Sequence, residues 1–169
     1  NRAQPLDFNR TLSFYGVESE IDHLGGPVMS PDGRYVAGVS VGDYGRYTFT
    51  YVLADLTTDT TTWIHPFLPT PTDAAIPWNI RWSPDSQWVA LDPPAWDLVE
   101  SGIRLVAVAG LGNNMPLGVG SSHPLWLDNE RLLFKTTAYG QSRWRYLNLQ
   151  TREQFWLDLP AGVSEVHYA

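Results

Sequence analysis

The 169-residue chain contains no cysteine, which removes disulfide frameworks, thiolate-bound zinc and cysteine nucleophiles in one step. Lysine is almost missing too: of eleven basic residues, only Lys135 is one. Against eighteen acidic residues this leaves a formal net charge of −7, the wrong balance for a nucleic-acid footprint of clustered Lys and Arg. No apolar run reaches the roughly 18–20 residues that a membrane span requires. No long segment carries a 3.6-residue hydrophobic period, so little helix is expected.

The chemistry-bearing motifs are equally sparse. A serine hydrolase needs a Gly-x-Ser-x-Gly elbow, and the nearest string, Gly118-Val119-Gly120-Ser121-Ser122-His123, lacks that spacing and reads as a loop between strands. His23, His65, His123 and His167 show no His-x-x-x-His pattern, and His65 and His123 are expected in loops. Gly25-Gly26 and the pair Gly42 and Gly45 precede no helix, which argues against phosphate binding. Asp92 and Asp97 flank Pro93-Pro94-Ala95-Trp96 without defining a glycosidase pair, whose two carboxyl groups need a set separation. Asn9-Arg10-Thr11 forms a glycosylation sequon, relevant only in a eukaryotic secretory pathway. No catalytic residue, cofactor or metal site is expected.

What is present is aromatic. Hydrophobic residues make up 43% and aromatic residues 13%, with eight Trp and eight Tyr. This is a globular composition, and rings with a polar tip suit half-buried sheet faces and contact surfaces. Three segments repeat: Val28 to Ala37, Arg81 to Ala90 and Leu125 to Phe134. Their anchors, Met29, Trp82 and Trp126, lie 53 and then 44 residues apart. These spacings bracket a four-stranded propeller blade of about 40–50 residues.

Each copy joins two apolar strands through a turn, Ser30-Pro31-Asp32-Gly33 in the first and Ser83-Pro84-Asp85-Ser86 in the second. Pro presets φ at the second turn position, while Asp and Gly supply side-chain hydrogen bonds and backbone freedom. Local bonding is therefore the expected role of Asp32 and Asp85. The third copy replaces the turn with Asp128-Asn129-Glu130. Further strands follow with period-2 alternation: Tyr47 to Leu53 before Asp55-Leu56, then Ile103 to Ala107, then Trp144 to Leu149, with Phe155-Trp156-Leu157 closing the last copy.

Ser30-Pro31-Asp32-Gly33, Ser83-Pro84-Asp85-Ser86 and Asp55-Leu56-Thr57 resemble the TolB-like, WD40-resembling β-propeller repeat over about residues 25–158. The resemblance implies an all-β fold of antiparallel β-propeller blades, three of them whole, near 25–68, 77–118 and 123–158. An N-terminal extension over 1–24 would hold a closing strand near Thr11 to Gly16, and 162–168 would begin a further blade. A fourth blade shared between the termini, an open or partial propeller with covered edges, and a piece of a longer chain are all compatible with this pattern. The partial propeller within a larger assembly is the reading favoured, because bare sheet edges need covering.

The turn between second and third strands carries an aromatic in every copy: Tyr44, Trp96 and Tyr139. In propellers this turn shares a face with the inter-blade loops, here His65 to Pro77 and Met115 to Pro124. Together with Asp43, Asp97 and Gln141, the rings have the composition of a partner-contact surface. The alternative is that they cap the adjacent blade.

TolB-like blades occur in periplasmic scaffolds and in the propellers of prolyl-oligopeptidase-type peptidases, so fold alone does not fix function. The expectation is a non-catalytic protein-interaction or assembly module, a subunit or fragment of a larger extracytoplasmic complex. It would lie in the periplasm or outside the cell, with membrane attachment through a segment ahead of Asn1 as one arrangement. Protein partners are expected and nucleic acid is not. The alternatives are the propeller of a hydrolase whose catalytic domain lies elsewhere, and a carbohydrate-binding module.

Overall fold

In the computed structural model, residues 27–43, 47–58, 60–69, 79–92, 102–110, 114–138 and 140–157 are described. All regular structure among them is β, in three four-stranded antiparallel meanders. Blade 1 runs β1 (Val28–Met29), β2 (Tyr35–Asp43), β3 (Tyr47–Asp55) and β4 (Thr60–Pro69). Blade 2 runs β5 (Asn79–Trp82), β6 (Trp88–Asp92), β7 (Arg104–Ala107) and β8 (Asn114–Pro116). Blade 3 runs β9 (Ser121–Trp126), β10 (Arg131–Ala138), β11 (Gln141–Asn148) and β12 (Gln154–Leu157). The chain forms two compact units, residues 1–76 with blade 1 and residues 77–169 with blades 2 and 3. The terminal strands expected near 11–16 and 162–168 lie outside the described residues.

The repeated turn works by side-chain chemistry. Ser30 Oγ donates to Asp32 Oδ1 at 2.6 Å and accepts the Tyr35 N–H at 2.9 Å, while Asp32 Oδ1 also accepts the Arg34 N–H. Ser83 and Asp85 repeat the set, with bonds to each other and to the N–H groups of Trp88 and Gln87. Gly33 has φ of 72°, and Ser86 takes the same left-handed conformation at 62°. Asp and Ser thus satisfy donors that a reversing backbone leaves unpaired. The divergent third turn is one residue shorter, closed by Leu127 N–H on Arg131 O. There Asp128 Oδ1 alone accepts the N–H groups of Glu130 and Arg131.

A second contact recurs in all three blades. Leu56, Val108 and Leu149 donate their backbone N–H to the carbonyls of Arg34, Gln87 and Glu130, at 2.9, 2.9 and 2.8 Å. Each bond ties the end of a third strand to the turn before the second. In blade 1 the tie is reinforced by Arg34, whose guanidinium meets Asp55 Oδ2 at 2.7 Å. That partner, with help from Thr57, holds the Asp55 carboxyl well below the usual carboxylate range.

Blade 1 buries Val36, Ala37, Tyr51, Val52, Leu53 and Ala54. In the second unit the core lies between blades. Ala90, Ile103, Leu105 and Leu117 of blade 2 pack with Trp126, Leu132, Phe134 and Leu147 of blade 3. Each fully buried Leu or Phe in such a layer is worth about 1.5–3 kcal/mol.

Candidate interaction surface

Strand register sets which residues face which way. In blade 2, Ala90, Leu105 and Met115 stand opposite one another in one row. In the next row Leu117 donates its N–H to Ile103 O. Ala90, Ile103, Leu105 and Leu117 are buried in the core shared with blade 3, and Met115 packs partly buried against it. In blade 3 the matching row is Leu133, Tyr146 and Phe155, followed by Trp144 opposite Leu157. Blade 3 therefore carries, on the side turned from blade 2, a second copy of the face by which blade 2 holds it. Tyr146 and Phe155 stack on this face with centroids 4.9 Å apart. Phe155 is 40% exposed and Leu157 37%, whereas Leu117, the counterpart of Leu157, is 4% exposed.

Three polar ties fix the joint that aims this face. The Trp126 indole N–H donates to Arg81 O at 3.1 Å. Ser121 Oγ accepts the Ile103 N–H and donates to Gly118 O, drawing the start of β9 against blade 2. Asp92 Oδ2 accepts the His123 N–H at 2.8 Å. Burial pushes the Asp92 carboxyl above its usual range, with the bonds to His123 and Asn79 acting against that push. The linker between the blades is short because Gly118 and Gly120 take φ of 101° and 74°.

Charge on the outward face breaks the repeat. Counting from the pairs Trp82–Val89 and Trp126–Leu132, Lys135 takes the position that Asp92 holds in blade 2. A cation there cannot accept an amide, so the clamp made by Asp92 has no counterpart at Lys135.

On the opposite face of β12, Trp156 is 48% exposed and lies under two guanidinium groups, Arg145 at 4.0 Å and Arg143 at 4.9 Å from the ring centroid. Every residue of β12 is exposed, and among the described residues no strand pairs with its outer side.

Of the six residues expected to form a contact surface, Tyr44, Trp96, Asp97 and Tyr139 lie outside the described residues. Asp43 ends β2, paired with Tyr47, and its side chain is likewise outside them. Gln141 opens β11 and is exposed. The expected loop positions of the histidines are corrected: His65 lies within β4 and His123 within β9. For His123 the cause is the tight glycine linker, which lets β9 begin at Ser121. Sequence reasoning missed the outward face of blade 3. Its signal was the uninterrupted triplet Phe155-Trp156-Leu157, apolar on both faces of a strand that closes its sheet. Among the described residues no three His, Asp or Glu side chains stand close enough to share a metal ion, and no helix is long and apolar enough to cross a membrane.

No family model matches the sequence, and no curated protein matches it. Solved structures do. The β-propeller domain of the Trilobed protease from Pyrococcus furiosus superposes with a TM-score of 0.56 at 18% identity, over 80% of this chain and 43% of that one. An oligogalacturonate lyase in complex with manganese gives 0.59 at 19% identity, over 81% and 42%. An acylaminoacyl peptidase from Pyrococcus horikoshii gives 0.51 at 15% identity, over 79% and 25%. The chain spans less than half the length of each. At these identities the likeness establishes the fold: the three sheets are antiparallel β-propeller blades.

Proposed function

We propose that the chain is a non-catalytic interaction module built from TolB-like blades, which holds a protein partner within a larger extracytoplasmic complex. One observation carries this reading. Blade 3 repeats, with Phe155 and Leu157 exposed, the apolar face that blade 2 buries against its neighbour. Exposed apolar patches on an ordered face mark interaction sites more often than chance surface. Placement outside the cytoplasm comes from the sequence resemblance, and cell fractionation tests it.

The experiment is to isolate the native protein and a Phe155→Ser, Leu157→Ser double variant from the source cells. The native protein should sediment as a complex. The variant should be released from it while the unfolding free energy stays within about 1 kcal/mol, as expected for half-exposed positions. A native protein that sediments as a lone chain, or a variant that remains assembled, would reject the reading.

A second reading, the propeller of a peptidase, is favoured by the Trilobed protease and acylaminoacyl peptidase among the similar structures. The native reading frame decides it: a hydrolase domain encoded in the same chain replaces the free module with an enzyme's propeller.

A further inference from the structure

The interaction reading leaves open what kind of polypeptide binds. Arg143 and Arg145 are two residues apart on β11 and share one face of the sheet, so their charges repel. Both guanidinium groups lie over Trp156, which offers each a cation–π contact but no counter-charge. The ion pairs among the described residues are Arg34–Asp55 and Arg131–Asp128, and neither Arg143 nor Arg145 takes part in one. Arg145 gives one nitrogen to Gln154 Oε1 at 3.1 Å, while its Nε is buried without an acceptor. In a chain of net charge −7, this is a local excess of positive charge with no carboxylate paired to it among the described residues.

The position of that charge is specific. Trp156 belongs to β12, the outermost strand of blade 3. The two arginine side chains start one strand further in and reach over the Trp156 ring, toward the edge on which no described strand pairs. A strand added there would lie about 4.8 Å beyond β12. Its residue opposite Trp156 would share the arginine face, and its neighbours in sequence would point to the other face, beside Phe155 and Leu157.

Resting on the interaction reading above, we propose that the outer edge of β12 takes up an extended, acidic polypeptide segment by strand addition. Its carboxylates, at every second position, meet Arg143 and Arg145 over Trp156, and its intervening apolar side chains extend the Tyr146–Phe155 stack. Backbone pairing supplies affinity and the two arginines supply selection, the usual division in β-augmentation.

The test uses the whole chain and a fluorescent synthetic peptide with glutamate at every second position and valine or threonine between. Binding is expected at low ionic strength, weakening as salt screens the arginines. Replacing glutamate by lysine in the peptide should abolish it. Arg143→Gln with Arg145→Gln should weaken it about tenfold or more, the scale of a lost close charge pair. Arg145 is partly buried, so the single Arg143→Gln, at an exposed side chain, keeps the test decisive if the double variant does not fold. Methylating the peptide's pairing amides should also remove binding.

The proposal is overturned if the lysine peptide binds equally well, if the arginine variants bind unchanged, or if no binding occurs. Equal binding of a polyuronate chain, which has no peptide backbone, would assign the arginines to a glycan and overturn it as well. Assembly through Phe155 and Leu157 is read by sedimentation of the native complex. That reading therefore stands or falls separately from the peptide result.

Discussion

The carboxylate of Asp92 accepts the backbone N–H of His123 at 2.8 Å, clamping the last residue of β6 to the first strand of the next blade. His123 has a φ of 58°, a left-handed conformation that costs a non-glycine residue about 1–2 kcal/mol. The bond holds that conformation in place. Its cost is a carboxylate of 8% exposure with no cation beside it among the described ion pairs. In blade 3 the matching position is Lys135, so the clamp is a property of this one joint.

The joint should therefore respond to pH. Burial raises the folded-state pKa of Asp92 above its ordinary value, so its favourable contribution is complete below the unfolded pKa. That contribution is lost as pH rises through the raised value. As pH rises from the ordinary carboxylate range upward, the wild type should lose stability relative to Asp92→Asn, which keeps an acceptor oxygen but carries no charge. Asp55 and Asp128, both held below the usual range, act in the opposite sense at lower pH and cancel in this comparison. Denaturant melts of both proteins across that range provide the measurement. Parallel curves would show that Asp92 does not titrate as its burial demands.

Removing the acceptor altogether tests the clamp itself. Asp92→Ala orphans the His123 N–H and should be less stable than Asp92→Asn by about 1–3 kcal/mol at every pH. Amide exchange at His123 should accelerate in the alanine variant and stay slow in the asparagine variant.

Two glycines separate backbone strain from steric exclusion. Gly33 has φ of 72° and open space around the place of a Cβ. Gly33→Ala should therefore cost only the left-handed strain, about 1–2 kcal/mol. Gly102 shows no such angle, but a Cβ there would collide with the carbonyl oxygen of Gly118 in the inter-blade linker. A backbone atom held by Ser121 cannot give way, so Gly102→Ala should cost about 3 kcal/mol or more. Equal losses in the two variants would contradict the tight packing of Gly102 on the linker.

The sequence was informative where bonding is local. Ser30-Pro31-Asp32-Gly33 announces its turn because every donor and acceptor lies within six residues. The period-2 aromatics likewise announce strands. Long-range partners left little trace. Arg81 accepts the Trp126 indole through its backbone carbonyl, which any residue would supply. Asp92 looks, in sequence, like half of a loop pair with Asp97, and only the fold buries it against His123. Phe155 to Leu157 is recognisable as a strand, but its exposure depends on what packs beside blade 3. Of the contact surface expected from Tyr44, Asp43, Trp96, Asp97, Tyr139 and Gln141, the described side chains include Gln141 alone. Trp96→Ala remains the discriminating variant. Lost partner binding at unchanged melting supports contact, and a lowered melting point alone supports capping.

Trp126 and Trp156 offer the final prediction, since both are tryptophans on blade 3 with opposite surroundings. Trp126 is 7% exposed, sits in the layer between blades 2 and 3, and spends its indole N–H on Arg81 O. Trp126→Phe keeps most of the ring but loses that bond and leaves a gap beside Phe134 and Leu147. The lost bond costs about 1 kcal/mol, and the incomplete packing adds a similar amount. Trp156 is 48% exposed and touches the two arginines, so Trp156→Phe should fall within about 0.5 kcal/mol of wild type. Urea unfolding of the two variants reads the difference directly. Equal midpoints would mean that the Trp126–Arg81 tie does not hold blades 2 and 3 together, and the rigid aim of the outward face would lose one of its three supports.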